Sequence, residues 1–192
     1  MAVWTLVSPE QPSSPARRGL IVTFAVVAVL VVVADQASKA AVMASLTFGH
    51  PVAVIPGWLQ FRLLRNADAA FNLSFGATWV FTLISFVVSL VIIRASRRLG
   101  SRAWAVALGL MLGGAVGNLV DRLARDPGFG RGHVVDFIEY LRFPFMQFPV
   151  FNVADSCVVS AAVLLAILGV LDLPLAGRAT PVVEQVETGS DV

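Results

Sequence analysis

The sequence predicts an all-α integral membrane protein built on four transmembrane helices, and three observations carry this. Of 192 residues, 57% are hydrophobic and 14% charged, with a mean hydropathy of +0.82, whereas a soluble domain runs near 25% charged. Four uncharged stretches approach the roughly 20 residues that a helix needs to cross a bilayer. The ionisable residues gather at the ends of those stretches. This composition excludes a disordered chain, a disulfide-rich scaffold and an ordinary cytosolic enzyme. A net charge of +2, with no basic run interleaved with aromatics, excludes nucleic acid as a partner. The single cysteine, Cys157, excludes an internal disulfide and a Cys-based zinc site.

Residues 1–18 read as a disordered tail, because Met1–Ala16 carries three Pro and three Ser without periodicity. The first span runs Gly19–Ala34 and continues through Asp35 to about Ala44. It is not a cleaved signal peptide, since Asp35-Gln36-Ala37-Ser38-Lys39 follows it in place of a small-x-small site. In the loop 45–72, the runs Val52–Ile55 and Trp58–Leu63 flank Pro56-Gly57 and predict a hairpin or small sheet near the membrane surface. The second and third spans are Leu73–Ile93 and Ala103–Val120. In the loop 121–151, Phe137, Tyr140, Phe143, Phe145, Phe148 and Phe151 alternate with Glu139, Arg142 and Gln147. That pattern reads as an interfacial aromatic belt, with an apolar clamp over a lipid-borne substrate as the alternative. The fourth span is Ser156–Leu171, extended upstream by Phe151–Asp155 and closing a membrane domain of 19–173. Residues 174–192 form a second disordered tail.

Orientation follows from arginine placement. Arg94, Arg97, Arg98 and Arg102 fall within nine positions without an acid. The opposite side carries as many basic residues, but over long loops mixed with Asp121, Asp126, Asp136 and Glu139. Both termini and Arg94–Arg102 are therefore placed in the cytoplasm.

Polar residues at membrane depth are functional candidates, since each costs at least a few kcal/mol there. Asp35 and Lys39 share a face at i,i+4. Asn118, Asp121 and Arg122 close the third span, Asp136 stands among Val134, Val135, Phe137 and Ile138, and Asn152 and Asp155 open the fourth. Arg65-Asn66-Ala67-Asp68 precedes the second. All lie at the outer ends, and the inner halves of spans one, three and four are apolar. A transporter or channel would need polar groups continuing across, and only Thr82, Ser85 and Ser89 offer any. A non-catalytic scaffold would leave the charges without a reason.

His50 and His133 are isolated, Cys157 reads as a small core residue, and the adjacent Ser38 and Lys39 point about 100° apart, which excludes a Ser–Lys dyad. Aspartates remain. Two carboxylates sharing one proton can activate water against an amide, one as base and one as acid. On the residues alone, Asp121 and Asp136 are equal candidates to pair with Asp155. Asp155 also has a purely structural reading, at N3 of a helix capped by Asn152, and Asp121 beside Arg122 reads as a plain ion pair. The helix N-terminus favours ionised Asp155, and its apolar flanks favour neutral Asp136.

Five blocks then resemble a known family. Asp35-Gln36-x-Ser38-Lys39, Asn66-x-x-Ala69-Ala70-Phe71, Gly113-Gly114-Ala115-x-Gly117-Asn118-Leu119-x-Asp121-Arg122, Val134-Val135-Asp136-Phe137 and Phe151-Asn152-x-Ala154-Asp155-Ser156 are similar, in order, to the signature blocks of lipoprotein signal peptidase (signal peptidase II). The resemblance implies an intramembrane aspartic endopeptidase of the bacterial plasma membrane. It would cut prolipoprotein signal peptides just before a diacylglyceryl-modified cysteine, on the extracytoplasmic side. It further implies a four-helix bundle with a small extracytoplasmic β-sheet cradle and a short interfacial helix. Neither metal nor cofactor is implied; the partners are lipid, the prolipoprotein and globomycin-type inhibitors, and the chain acts as a monomer. By position, Asp136 and Asp155 match the catalytic dyad. Asp35, Lys39, Asn66, Asn118, Asp121, Arg122, Asn152 and Ala154 match supporting and substrate-binding residues, Ala154 leaving room beside the dyad. Family members usually carry Gly where Asp68 stands, and Leu123–His133 is longer than usual and reads as a surface insertion. Gly109, Gly113, Gly114 and Gly117 permit close helix approach.

Overall fold

The computed structural model describes residues 14–67, 78–142 and 148–176. Its elements in chain order are α1 (Ser14–Ser45), β1 (Val52–Ile55), β2 (Leu59–Asn66), α2 (Thr78–Ser96), α3 (Arg102–Ala124), β3 (Val134–Tyr140) and α4 (Val153–Val170). All four helices are long and apolar enough to cross a membrane, and the chain is a multi-pass membrane protein. With 32 residues, α1 spans about 48 Å at 1.5 Å per residue, against a hydrocarbon core of about 30 Å. The helix is thus longer than the layer it crosses, and its last turns pack against the sheet.

Helix α3 is the centre of the bundle, packing against α1, α4 and α2, while α1 also touches α4. Small residues set these approaches. A Cβ added at Gly113 would lie 2.5 Å from Val31 Cβ on α1, and one at Gly114 would lie 2.5 Å from the Ala154 carbonyl oxygen on α4. Away from the sheet, Leu20, Phe24, Ile92, Leu99, Leu108 and Leu112 form the buried core. Outward faces such as Val26, Val29, Leu30 and Val33 of α1 and Leu83, Phe86 and Val87 of α2 are exposed and apolar, as surfaces that meet lipid require.

The sheet is antiparallel in the order β1-β2-β3. Gly57, at φ +77°, makes the expected Pro56-Gly57 turn between β1 and β2. Strand β3 is an addition to the runs that the sequence marks as strands. Leu59 pairs with Tyr140 and Asn66 with Val134, and Glu139 on β3 takes a 2.6 Å hydrogen bond from Gln60 and a 3.0 Å ion pair from Arg62 on β2. Val42, Leu63, Val135 and Phe137 form a second core, which seats the sheet on the end of α1.

Several expected boundaries move. Helix α1 begins at Ser14, inside the predicted tail of 1–18, and Arg17 Nη2 donates to the Arg97 carbonyl oxygen at 2.6 Å. The chain after α4 is also partly tied down: Gly100 N–H donates to Leu175 O at 2.7 Å and Trp104 Nε1 to Leu173 O at 2.8 Å. Residues 1–13, 177–192, Asp68, Ala69, Ala70, Phe71, Phe143, Phe145 and Gln147 lie outside the described residues, as does the start of the second span at 73–77. No helix beyond the four, and so no interfacial helix, occurs among the described residues. The segment 125–133 is more than a surface insertion. Gly132 N–H donates to Arg122 O at 3.0 Å, and Thr82 Oγ1 on α2 donates to Gly130 O at 2.8 Å. The aromatic segment also divides. Phe137 is buried 5.8 Å from the Phe61 ring, so it belongs to the core and not to a belt.

Candidate active site

One end of the bundle brings together the C-terminal ends of α1 and α3, the N-terminal ends of α2 and α4, and the sheet. A cavity of about 590 Å³ opens there. Asn66 of β2, Asn118 and Arg122 of α3, Asp136 of β3 and Asp155 of α4 form its polar wall, and Phe148, Val150, Phe151 and Val159 part of its apolar wall. Phe151 stacks on Tyr140 at 5.5 Å and meets Phe148 edge-on at 5.4 Å. Of the described aromatic residues of this segment, Phe148 and Phe151 line the cavity, Tyr140 stands exposed beside them, and Phe137 lies in the core.

Asp136 and Asp155 arrive by different routes. Asp136 is 2% exposed, at the middle of β3. Asp155 sits in the first turn of α4, where Asn152 caps the helix. Asp155 N–H donates to Asn152 Oδ1 at 2.9 Å, and Asn152 N–H donates to Asp155 Oδ2 at 3.2 Å. This reciprocal pair is a capping box, so the structural reading of Asp155 holds while its remaining oxygen faces the cavity. Every carboxylate oxygen of the two acids receives one N–H. Asn66 Nδ2 donates to Asp136 Oδ2 at 2.8 Å, Asn152 Nδ2 to Asp136 Oδ1 at 2.7 Å, and Asn118 Nδ2 to Asp155 Oδ1 at 2.7 Å. Burial pushes the Asp136 carboxyl up to about 6; the Asn66 N–H opposes this and the Asp155 carboxylate reinforces it. Asp136 therefore has neighbours, although its sequence flanks offered none: they come from β2 and α4.

Behind this wall lies a second cluster. Lys39 Nζ is 2.8 Å from both Asp35 Oδ2 and Asp121 Oδ2, all three side chains being fully buried. Arg125 Nε is 2.6 Å from Asp121 Oδ1, and Gln36 Nε2 donates to Asp35 Oδ2 and Asp121 Oδ1 at 3.1 Å each. The expected Asp35–Lys39 pair is present; the expected Asp121–Arg122 pair is not. Successive helical residues point about 100° apart, so Asp121 turns to α1 while Arg122 turns to the cavity, its Nη1 3.3 Å from Asn118 O. Arg125 and Gln36 were not among the candidates, yet Arg125 stands four residues after Asp121, an ion-pair spacing that could have revealed it. The cluster also braces the dyad's backbone. Val135 N–H donates to Asp121 Oδ2 at 3.1 Å and Ala154 N–H to Asp35 Oδ1 at 3.0 Å. Ala154 itself is buried, and a Cβ at Gly117 would lie 3.3 Å from its Cβ, so its methyl belongs to the α3–α4 seam rather than the cavity. Cys157 is half-buried on α4 rather than a core residue.

Two neighbouring acids, from a strand and a helix start, in one cavity at the mouth of a four-helix membrane bundle, match the similarities of the whole chain. The sequence profile described as Signal peptidase (SPase) II matches residues 27–171. The chain belongs to the signal peptidase II family. It is 46% identical over 175 residues to a lipoprotein signal peptidase of Mycolicibacterium smegmatis, covering 90% of this chain and 71% of that one. It is 42% identical over 175 residues to that of Leifsonia xyli (89% and 79%) and 44% over 172 residues to that of Mycobacterium tuberculosis (88% and 81%). A bacterial membrane enzyme solved in meso at 1.9 Å resolution has the same fold, with a TM-score of 0.67 and 27% identity over 86% of this chain and 99% of that one. As a signal peptidase II, the chain is a protease, and its four helices form the membrane-embedded frame of one.

Proposed function

We propose that the chain is an aspartic endopeptidase that removes signal peptides from diacylglyceryl-modified prolipoproteins, cutting just before the modified cysteine, with Asp136 and Asp155 as the catalytic dyad. One observation carries this reading: both carboxylates face the same cavity, held by neutral amides, with no ion pair to either among the described residues. Uncompensated buried acids are costly to a fold and suit proton transfer.

The pair shares one proton. Asp155, as carboxylate, takes a proton from water while the water oxygen attacks the scissile carbonyl carbon. Asp136, as acid, gives its proton to the carbonyl oxygen. Protonated Asp155 then donates to the departing cysteine nitrogen, and Asp136 recovers its proton as the C–N bond breaks. Arg122 lies within electrostatic reach of both acids and offsets charge developing between them. Asn66, Asn118 and Asn152 orient the acids, while Asp35, Lys39, Asp121 and Ala154 hold the elements that carry them. The apolar wall of Phe148, Val150, Phe151 and Val159 suits the acyl chains and the signal helix. Along α2, Thr82 and Ser89 spend their hydroxyls on carbonyl oxygens, which supports hydrolysis over transport.

Arg17 and Arg94–Arg102 lie at the end opposite the cavity, which by arginine bias is cytoplasmic. The dyad then faces the extracytoplasmic side of the plasma membrane, both tails are cytoplasmic, and one chain supplies the whole site. Reconstituted cleavage of a diacylglyceryl precursor tests this. Wild type cuts it, unmodified precursor is a poor substrate, a globomycin-type peptide inhibits, and Asp136→Asn and Asp155→Asn are inactive. Full cleavage by either variant overturns the assignment.

A further inference from the structure

Lys39 is the one lysine of the chain, and its side chain is fully buried. An ammonium has three donors and no acceptor. Here all three are engaged: by Asp35 Oδ2 and Asp121 Oδ2 at 2.8 Å each and by Asn118 Oδ1 at 3.1 Å. The third contact fixes a polarity. A side-chain amide accepts on one side and donates on the other. Because the ammonium can only donate, it holds the Asn118 oxygen, and the Asn118 nitrogen must point away, to Asp155 Oδ1 at 2.7 Å. The same Asn118 oxygen accepts from Asn152 Nδ2 at 3.1 Å, and that nitrogen also serves Asp136 Oδ1 at 2.7 Å. A flipped Asn118 would set N–H against the cation and a carbonyl oxygen against a carboxylate.

We propose that Lys39 is a positioning residue of the cleavage reaction: through the Asn118 amide it sets the direction of the hydrogen bonds that the dyad carboxylates receive. This rests on the reading of Asp136 and Asp155 as the catalytic pair. Lys39 itself bonds to neither acid and reaches them through Asn118 and Asn152.

Removing Lys39 alone would leave two buried carboxylates short of a cation, so the test uses the charge-balanced pair Lys39→Met with Asp35→Asn. The amide at position 35 still accepts the Ala154 N–H, and Asp121 keeps Arg125. Full-length protein in detergent is first checked by thermal unfolding. kcat and KM are then measured on a diacylglyceryl precursor, with and without Asn118→Ala. With residue 118 intact, kcat falls about tenfold to a hundredfold and KM stays within about twofold. After Asn118→Ala the pair costs almost nothing further, because no amide is left to aim. An unchanged kcat, or losses that multiply, overturns the proposal. Asn118→Asp is the second variant: it keeps an acceptor for Lys39 but offers Asp155 no donor, so it must lose as much kcat as Asn118→Ala, and retained kcat also overturns the proposal. Asp136→Asn and Asp155→Asn run alongside. If they cleave, the dyad reading fails; if they are dead while the losses multiply, only the role of Lys39 fails.

Discussion

Two acidic clusters sit side by side at one end of this bundle, and they are built on opposite rules. In one, Asp35 and Asp121 are bridged by Lys39 and flanked by Arg125, so two anions meet two cations with hydrogen bonds to spare. In the other, Asp136 and Asp155 receive only amide N–H groups and border a cavity of about 590 Å³. The first is a closed charge balance, each anion set against a cation. The second is an open balance whose members can exchange a proton with water and substrate. Burial by itself therefore does not mark a catalytic acid. The kind of partner does, and that comparison can be broken experimentally.

The largest effect belongs to the open cluster. Asp136→Asn or Asp155→Asn should lower kcat by about 10⁴-fold while the protein stays folded with only a modest change in melting temperature, since each removes a buried uncompensated acid but sets a new N–H against a donor that the lost oxygen accepted. A melting temperature that collapses along with activity would place the dyad in the structural class instead. The closed cluster should respond in reverse. Asp121→Leu leaves Lys39 and Arg125 facing one fewer anion and frees the Val135 N–H, and breaking a buried pair costs about 3–5 kcal/mol. Denaturation should show that loss, with cleavage by the surviving folded fraction reduced far less than in the dyad variants.

The clusters should also separate by pH. Burial holds the Asp136 carboxyl up at about 6, against about 3.9 in an unfolded chain. A raised carboxyl stabilises the fold below its unfolded value, and that contribution is lost as pH rises through 6. Between about pH 4 and 6 the folded state binds the extra proton, so stability falls with rising pH by an amount on the order of 3 kcal/mol. Asp136→Asn should flatten the stability–pH curve over that window. Cleavage should likewise decline above pH 6 as the shared proton is lost. A curve of unchanged slope in Asp136→Asn would assign that titration to another group.

How much of this was legible depends on whether the partners are local. The four spans and the Val52–Ile55 hairpin follow from runs of neighbouring residues, as does the Asn152–Asp155 capping box, complete within four positions. Asp35–Lys39 was readable at i,i+4. Asp121–Arg125 has the same spacing, but in the sequence the adjacent Arg122 competes with it, and only the fold shows that Arg122 points to another face. What stayed hidden is non-local. Strand β3 exists because β2, some 70 residues earlier, offers a partner edge, and Asn66 reaches Asp136 across that distance. Likewise Lys39 meets Asn118 and Asp121 only because α1 and α3 pack closely. Helix ends shifted for a similar reason: Arg17 reads as tail until the Arg97 carbonyl is seen beside it.

The smallest effect in this series separates the clusters without touching an acid. Gly113 and Gly114 are neighbours on α3 that face different helices. A Cβ at Gly113 meets Val31 of α1, behind the closed cluster; one at Gly114 meets the Ala154 carbonyl oxygen at 2.5 Å and Val158 Cγ2 at 2.6 Å on α4, next to Asp155. Either alanine overpacks a tight seam, at about 1–3 kcal/mol, so unfolding measurements should rank the two variants close together. Activity should not. Gly114→Ala moves the first turn of α4, and with it Asp155 relative to Asp136 on β3, so kcat should drop several-fold in protein shown to be folded. Gly113→Ala displaces α1, whose charged side chains brace the dyad only through other groups, and should leave kcat closer to wild type. Equal kcat losses in the two would mean that the closed cluster transmits strain to the dyad as directly as α4 does, and the division between bracing and reacting acids would not hold.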